Sequence, residues 1–247
     1  MKRGARLALG LGLYLVALAA FAPAQLLDAR LGEASAGHLR LAAARGTLWS
    51  GQARAELRDA NGATAWAAPV AWRLRPAGLL AARLDYALST GPGASLSAMS
   101  FSRSQVQLQG VDIRVPAATL AAAVPALSPW GLGGEVRVTA TQLGFGPTQA
   151  SGAASLHWSS ASSRLSPVSP LGDYALDVEG LGQHWQARLQ TLAGPLQLSG
   201  EGGWQPGARA RFEAIATAPP AVRAELAPFL RLVAVERGDG QFSWRLP

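Results

Sequence analysis

The sequence predicts a mainly β protein: an N-terminal transmembrane helix, then a long curved antiparallel sheet, an open groove or partial barrel, carrying two short helices. Three observations predict it. Apolar and polar residues alternate with a period of two in run after run. Twenty-eight glycines and sixteen prolines punctuate those runs. One uncharged apolar stretch occupies the N-terminus.

That stretch runs from Leu7 to Leu27, 21 residues. As a helix it is about 31 Å long at ~1.5 Å per residue, against a hydrocarbon core of ~30 Å. Lys2, Arg3 and Arg6 precede it, while Asp28, Arg30 and Glu33 follow. The positive-inside rule then holds the N-terminus in the cytoplasm of a bacterial-type inner membrane and sends the rest across. The competing reading is a cleaved signal peptide, with Ala22-Pro23-Ala24 as the peptidase site. Pro23 and the continued apolarity of Leu26 and Leu27 favour the uncleaved anchor. Residues 1–27 are thus expected to be tip and anchor, and 28–247 a periplasmic β-rich domain.

In that domain Ala53, Ala55 and Leu57 alternate with polar neighbours, and Asn61-Gly62 follows, the pair best suited to a two-residue hairpin. Val70, Trp72 and Leu74 alternate next, then Leu84, Tyr86 and Leu88, then Val106 and Leu108, then Val111, Ile113 and Val115. Val136 and Val138, Trp185, Ala187 and Leu189, Leu196 and Leu198, and Phe242, Trp244 and Leu246 complete the series. Strands that bury one face and wet the other belong to antiparallel sheets. Two stretches read as helix. One starts at Pro116, whose fixed φ suits a first turn. The other is Ala221 to Leu232, with Val222, Leu226, Phe229 and Leu230 in a stripe.

The halves echo each other, about 39–143 and 150–247. Asp85-Tyr86-Ala87-Leu88 recurs as Asp173-Tyr174-Ala175-Leu176, and Gln107-Leu108-Gln109-Gly110 as Gln197-Leu198-Ser199-Gly200. Pro116 to Leu127 answers Pro219 to Leu230. The ordered set points to an internal duplication whose halves join edge to edge.

The net charge is +7, with Lys2 the only lysine. The arginines are scattered singly, without the clustered basic face of a nucleic-acid binder. There is no cysteine, which removes disulfides, thiolate nucleophiles and cysteine-ligated zinc. His157 and His184 lie on the polar sides of their strands without ligand spacing. Asp177 and Glu179 share one strand face, but nothing beside them drives their pKa values apart. No G-x-S-x-G elbow and no phosphate-binding glycine loop occurs. No catalytic residue, cofactor site or metal site is assigned.

One segment is specific: Arg45-Gly46-Thr47-Leu48-Trp49-Ser50-Gly51, soon after the apolar stretch. With Val70-Ala71-Trp72-Arg73-Leu74, Leu84-Asp85-Tyr86, Trp158, Leu171-Gly172-Asp173-Tyr174, Gly194 to Gly200 and Gly238 to Trp244, it resembles the type II secretion system protein N family. The resemblance covers almost the whole chain, which departs from the family in being unusually alanine-rich. It implies a bitopic inner-membrane accessory subunit without known catalysis, in contact with other inner-membrane or periplasmic parts of the machine. The motif residues (Gly46, Thr47, Leu48, Trp49, Gly51, Trp72, Tyr86, Trp158, Tyr174, Gly200, Gly240 and Trp244) read as structural. Gly46 and Gly51 bracket a short strand, and Trp49 is expected in the core. The alternative function is lipid binding or transfer, with Leu84, Tyr86, Leu108 and Ile113 lining an apolar groove.

Overall fold

The computed structural model describes residues 10–246 apart from 12, 15, 16, 19, 60, 61, 92, 93, 124–126, 148, 206, 207 and 239. In chain order the elements are α1 (Gln25–Ala34), β1 (Leu39–Gly46), β2 (Ser50–Arg58), β3 (Thr64–Arg75), β4 (Leu84–Thr90), β5 (Ala94–Ser95), β6 (Ala98–Phe101), β7 (Val106–Pro116), α2 (Ala117–Ala123) and β8 (Leu132–Phe145). Then come β9 (Ala150–Ser163), β10 (Gly172–Gly182), β11 (Trp185–Ala193), β12 (Gln197–Trp204), β13 (Arg211–Thr217), α3 (Pro220–Val233), β14 (Val235–Gly238) and β15 (Gln241–Leu246). Short 3-10 turns follow β3 and precede β8.

All fifteen strands form one sheet. Its order is β1-β2-β3-β4-β6-β7-β8-β9-β10-β11-β12-β13-β15-β14, with β5 paired to β7 from the side. Every named pairing is antiparallel, and the path does not close on itself. The open antiparallel sheet expected from the alternation is therefore present, and the long β8–β9 hairpin joins the two halves.

Register explains why alternation was so legible. Across eight strands Ile113, Val138, Leu156, Leu176, Leu189, Gly200, Ala214 and Trp244 stand in one row. One residue along, Asp112, Thr139, Ser155, Asp177, Arg188, Glu201, Glu213 and Arg245 form the parallel row on the other face. One face is apolar and the other polar because a strand alternates sides with a period of two. The apolar face curls inward. Phe145 on β8 and Trp185 on β11 are three strands apart, about 14 Å in a flat sheet. Their ring centroids are nonetheless 5.1 Å apart.

α3 covers the far end of this face. Leu226, Phe229 and Leu230 are buried against Leu171, Leu196, Ala216 and Phe242, and Val222 packs beside them, so the expected stripe is the packing face. α2 packs near Val115, Val136 and Trp66. It starts one residue later than expected, because Pro116 still pairs with Glu135 as the end of β7. The rest of the expected helix, through 124–126, lies outside the described residues.

Two expectations change. The β2–β3 connection is not a two-residue hairpin. It is a five-residue turn in which Ala63 N donates to Asp59 Oδ1 at 2.8 Å and Asp59 N to Ala63 O at 2.9 Å. Gly62 does adopt a positive φ of 80°, while Asn61 lies outside the described residues. The apolar N-terminal stretch is not one continuous helix to Leu27. The described positions among 10–20 are helical, the chain turns at Phe21–Ala24, and Leu26 and Leu27 belong to α1. The break arises because Pro23 bridges to Thr47 and Ala24 N donates to Gly46 O at 3.1 Å. Residues 1–9 of the expected anchor lie outside the described residues. Among the described residues no helix is long and apolar enough to cross a membrane.

Candidate functional site

The glycine-bracketed segment builds the first feature. Gly46, at φ +94°, turns the chain out of β1, and Thr47 Oγ1 accepts the backbone N–H groups of Trp49 and Ser50, both at 3.2 Å. From β3 the Trp72 indole reaches into this loop. Its Nε1 donates to Thr47 O at 3.1 Å and Leu48 O at 3.2 Å. Gly51 is required because a Cβ there would lie 2.5 Å from Trp72 Cζ2. Trp72 is 6% exposed, whereas Trp49 is only half-buried. The most deeply buried ring of this motif is therefore Trp72, which β3 delivers beneath the loop, while Trp49 is partly buried.

The loop also grips the incoming chain. Leu48 N donates to Ala22 O at 2.9 Å, and Ala22 and Ala24 are both buried. Further along, the outer edge of β1 is closed by α1. Leu41 N donates to Asp28 Oδ1 at 2.7 Å and Leu39 N to Ser35 Oγ at 2.9 Å. Arg40 forks onto the same carboxylate through Nε at 2.9 Å and Nη2 at 2.6 Å. That bidentate bond holds the Asp28 pKa below the ordinary carboxylate value, with burial opposing it. Outward amides on an edge strand invite pairing with another chain, and at Leu39 and Leu41 side chains occupy them. No hydrophobic periodicity marks this seal, which depends on two polar side chains, Asp28 and Ser35, within α1 and just after it.

The opposite edge is unlike it. β14 pairs only with β15, and its four residues are all exposed. It covers β15 only as far as Ser243, leaving Trp244 to Leu246 uncovered beyond the step. A recess of about 500 Å³ lies there, lined among others by Leu232, Val235, Arg237, Trp244 and Arg245. Arg237 and Arg245 share one carboxylate, Glu213, at 2.7 and 3.0 Å, so among the described residues the cluster holds two guanidinium groups to one acid.

Under α3 the apolar face holds a cavity of about 260 Å³, lined by Trp158, Leu171, Tyr174, Leu189, Leu196, Leu198, Phe229, Phe242 and Trp244 among others. Trp158 Nε1 donates to Gly133 O at 2.9 Å, and Tyr174 OH donates to Leu196 O at 3.0 Å. Burial pushes the Tyr174 phenol well above its usual pKa, with Asp173 adding to it.

The motif residues thus fall into separate groups. Gly46, Thr47, Leu48, Trp49, Gly51 and Trp72 form the loop. Trp158, Tyr174 and Trp244 line the cavity, and Gly200 stands in the apolar row beside it. Tyr86 packs edge-on against Phe101, and Gly240 forms the β14–β15 turn at φ +72°. Leu84, Tyr86, Leu108 and Ile113 do share the apolar face. Asp177 faces outward and accepts Ser155 Oγ at 2.6 Å, and His157 and His184 are exposed. Among the described residues, no three histidine, aspartate or glutamate side chains converge.

Comparison with curated proteins and with solved structures returns no match. The family model for type II secretion system (T2SS) protein N matches residues 37–245, from the strand before the gripping loop through nearly all of β15. This chain belongs to the type II secretion system protein N family.

Proposed function

We propose that this chain is a non-enzymatic accessory subunit of the type II protein secretion machinery, held in the bacterial inner membrane by its N-terminal segment and docking its partners in the periplasm. Family membership over residues 37–245 carries the secretion role. The anchor is supported by the basic residues Lys2, Arg3 and Arg6 before the apolar stretch, and by the exposure of Leu13 (73%) and Phe21 (78%), which no strand covers.

The difference between the two sheet edges supports the mode of docking. With β1 sealed, a partner adds a strand at β14 and the uncovered end of β15. It is an extended segment with an apolar residue for Leu232, Val235 and Trp244 and an acidic one for the Arg237–Arg245 pair.

The absence of cysteine makes the test direct, since one introduced thiol is unique. Val235→Cys and Leu39→Cys are expressed at native level with the intact secretion apparatus and treated with a membrane-impermeant thiol cross-linker. The expected result is a cross-link to another secretion subunit from position 235 and none from 39. A product only from 39, or from neither, overturns the docking mode. Failure of a membrane-impermeant maleimide to label Val235→Cys in intact cells overturns the periplasmic placement.

A further inference from the structure

The cavity beneath α3 goes beyond protein docking. Three polar side chains on its wall have their hydrogen-bonding groups directed into the protein: Trp158 Nε1 to Gly133 O, Tyr174 OH to Leu196 O, and Ser163 Oγ to Trp130 O at 2.6 Å. Among the described residues no charged side chain lines it. Water needs two to four polar partners to be stable in a cavity, and apolar cavities of ~150 Å³ stay dry and accept apolar guests. At about 260 Å³ this one is larger.

Its shape argues for a chain-like guest over a compact one. Leu189 lies both in the cavity wall and in the cross-strand apolar row, which continues through Leu176, Leu156 and Val138. Those residues are only half-buried, so the apolar track runs out of the cavity along the sheet. Trp244, 37% exposed, stands at the edge of the cavity, where an amphipathic ring suits the junction of hydrocarbon and water.

The geometry points to a binding site for one unbranched acyl chain, inserted between α3 and the sheet with its polar head outside. The chain comes from a free fatty acid or from a membrane lipid, and the cavity recognises the hydrocarbon common to both.

The test uses the full-length protein in bacterial membranes and a palmitic acid probe carrying a diazirine on its chain. After photolysis, adducts are mapped by peptide mass spectrometry. Adducts are expected on peptides containing Leu196–Leu198, Leu226–Leu230 and Phe242. Excess palmitate suppresses them; suppression also by lysophosphatidylethanolamine assigns the site to lipid chains generally, and its failure assigns it to free fatty acids. Ala216→Phe places a ring in the cavity and lowers the adduct yield by about tenfold, a loss of roughly 1.4 kcal/mol, with trypsin resistance of the domain as the check on folding. Adducts confined to residues before Gln25 overturn the site. So does yield unchanged in a trypsin-resistant Ala216→Phe. If that variant does not fold, wild-type labelling that neither competitor suppresses overturns it.

Discussion

Gly51 lies flat against the Trp72 indole, so closely that a Cβ on Gly51 would stand 2.5 Å from Cζ2 and 2.6 Å from Arg45 O. Neither the β1–β2 turn nor the indole has room to yield. Gly51→Ala is expected to cost about 1–3 kcal/mol through overpacking, read as a lowered denaturation midpoint with unchanged slope. A variant of wild-type stability would show that the loop repacks freely.

The same indole closes the loop with hydrogen bonds, and a second indole makes a bond of the same sequence separation to strand β8. Trp72 reaches a carbonyl 25 residues upstream, Thr47 O, and Trp158 reaches Gly133 O, also 25 residues upstream. Trp72→Phe keeps most of the apolar volume and leaves two carbonyls without their donor. It is expected to cost about 1–3 kcal/mol, and Trp158→Phe a similar amount, each measured by chemical denaturation.

Acid is expected to release α1 from β1. The Asp28 pKa is depressed in the folded protein, chiefly by the Arg40 fork. Its stabilisation is therefore complete above the ordinary value of 3.8 and is lost as pH falls through the lower folded value. Amide exchange at Leu41 reads this directly, accelerating below pH 3.8 in the wild type. Asp28→Asn should exchange faster at neutral pH and show little of that acid dependence.

Alkali acts through Tyr174. Its folded pKa is raised above the ordinary phenol value of 10.0, so the buried neutral phenol stabilises fully below pH 10 and loses that contribution as pH rises further. Absorbance near 295 nm should show Tyr174 ionising only with unfolding, and Tyr174→Phe should flatten the alkaline limb.

The far core rests on α3. Leu226 is fully buried among Leu171, Leu196 and Phe242. Leu226→Ala is expected to cost about 2–5 kcal/mol, monitored by thermal unfolding, whereas Leu232→Ala, at a side chain 73% exposed, should be close to neutral.

Strands with large contrast between faces were legible from the sequence. Val70-Trp72-Leu74 and Phe242-Trp244-Leu246 alternate bulky apolar with polar side chains, and both lie in strands. β1 was not, because Leu-Arg-Leu-Ala-Ala-Ala-Arg-Gly loses its period in alanines and contains a bulge after Ala42. The start of α1 was hidden at the end of an apolar run whose break depends on a long-range bridge, Pro23 to Thr47. The gripping loop is legible as a motif, whereas the indole that closes it is not, since that ring comes from a strand 25 residues away. The cavity was not legible, because it exists only where β8 to β13, β15 and α3 meet.

One consequence follows from the seal that Asp28 and Ser35 place along β1. With the Leu39 and Leu41 amides already taken, a copy of this chain meeting that stretch of β1 finds no free donor to pair with, which works against end-to-end stacking of sheets through it.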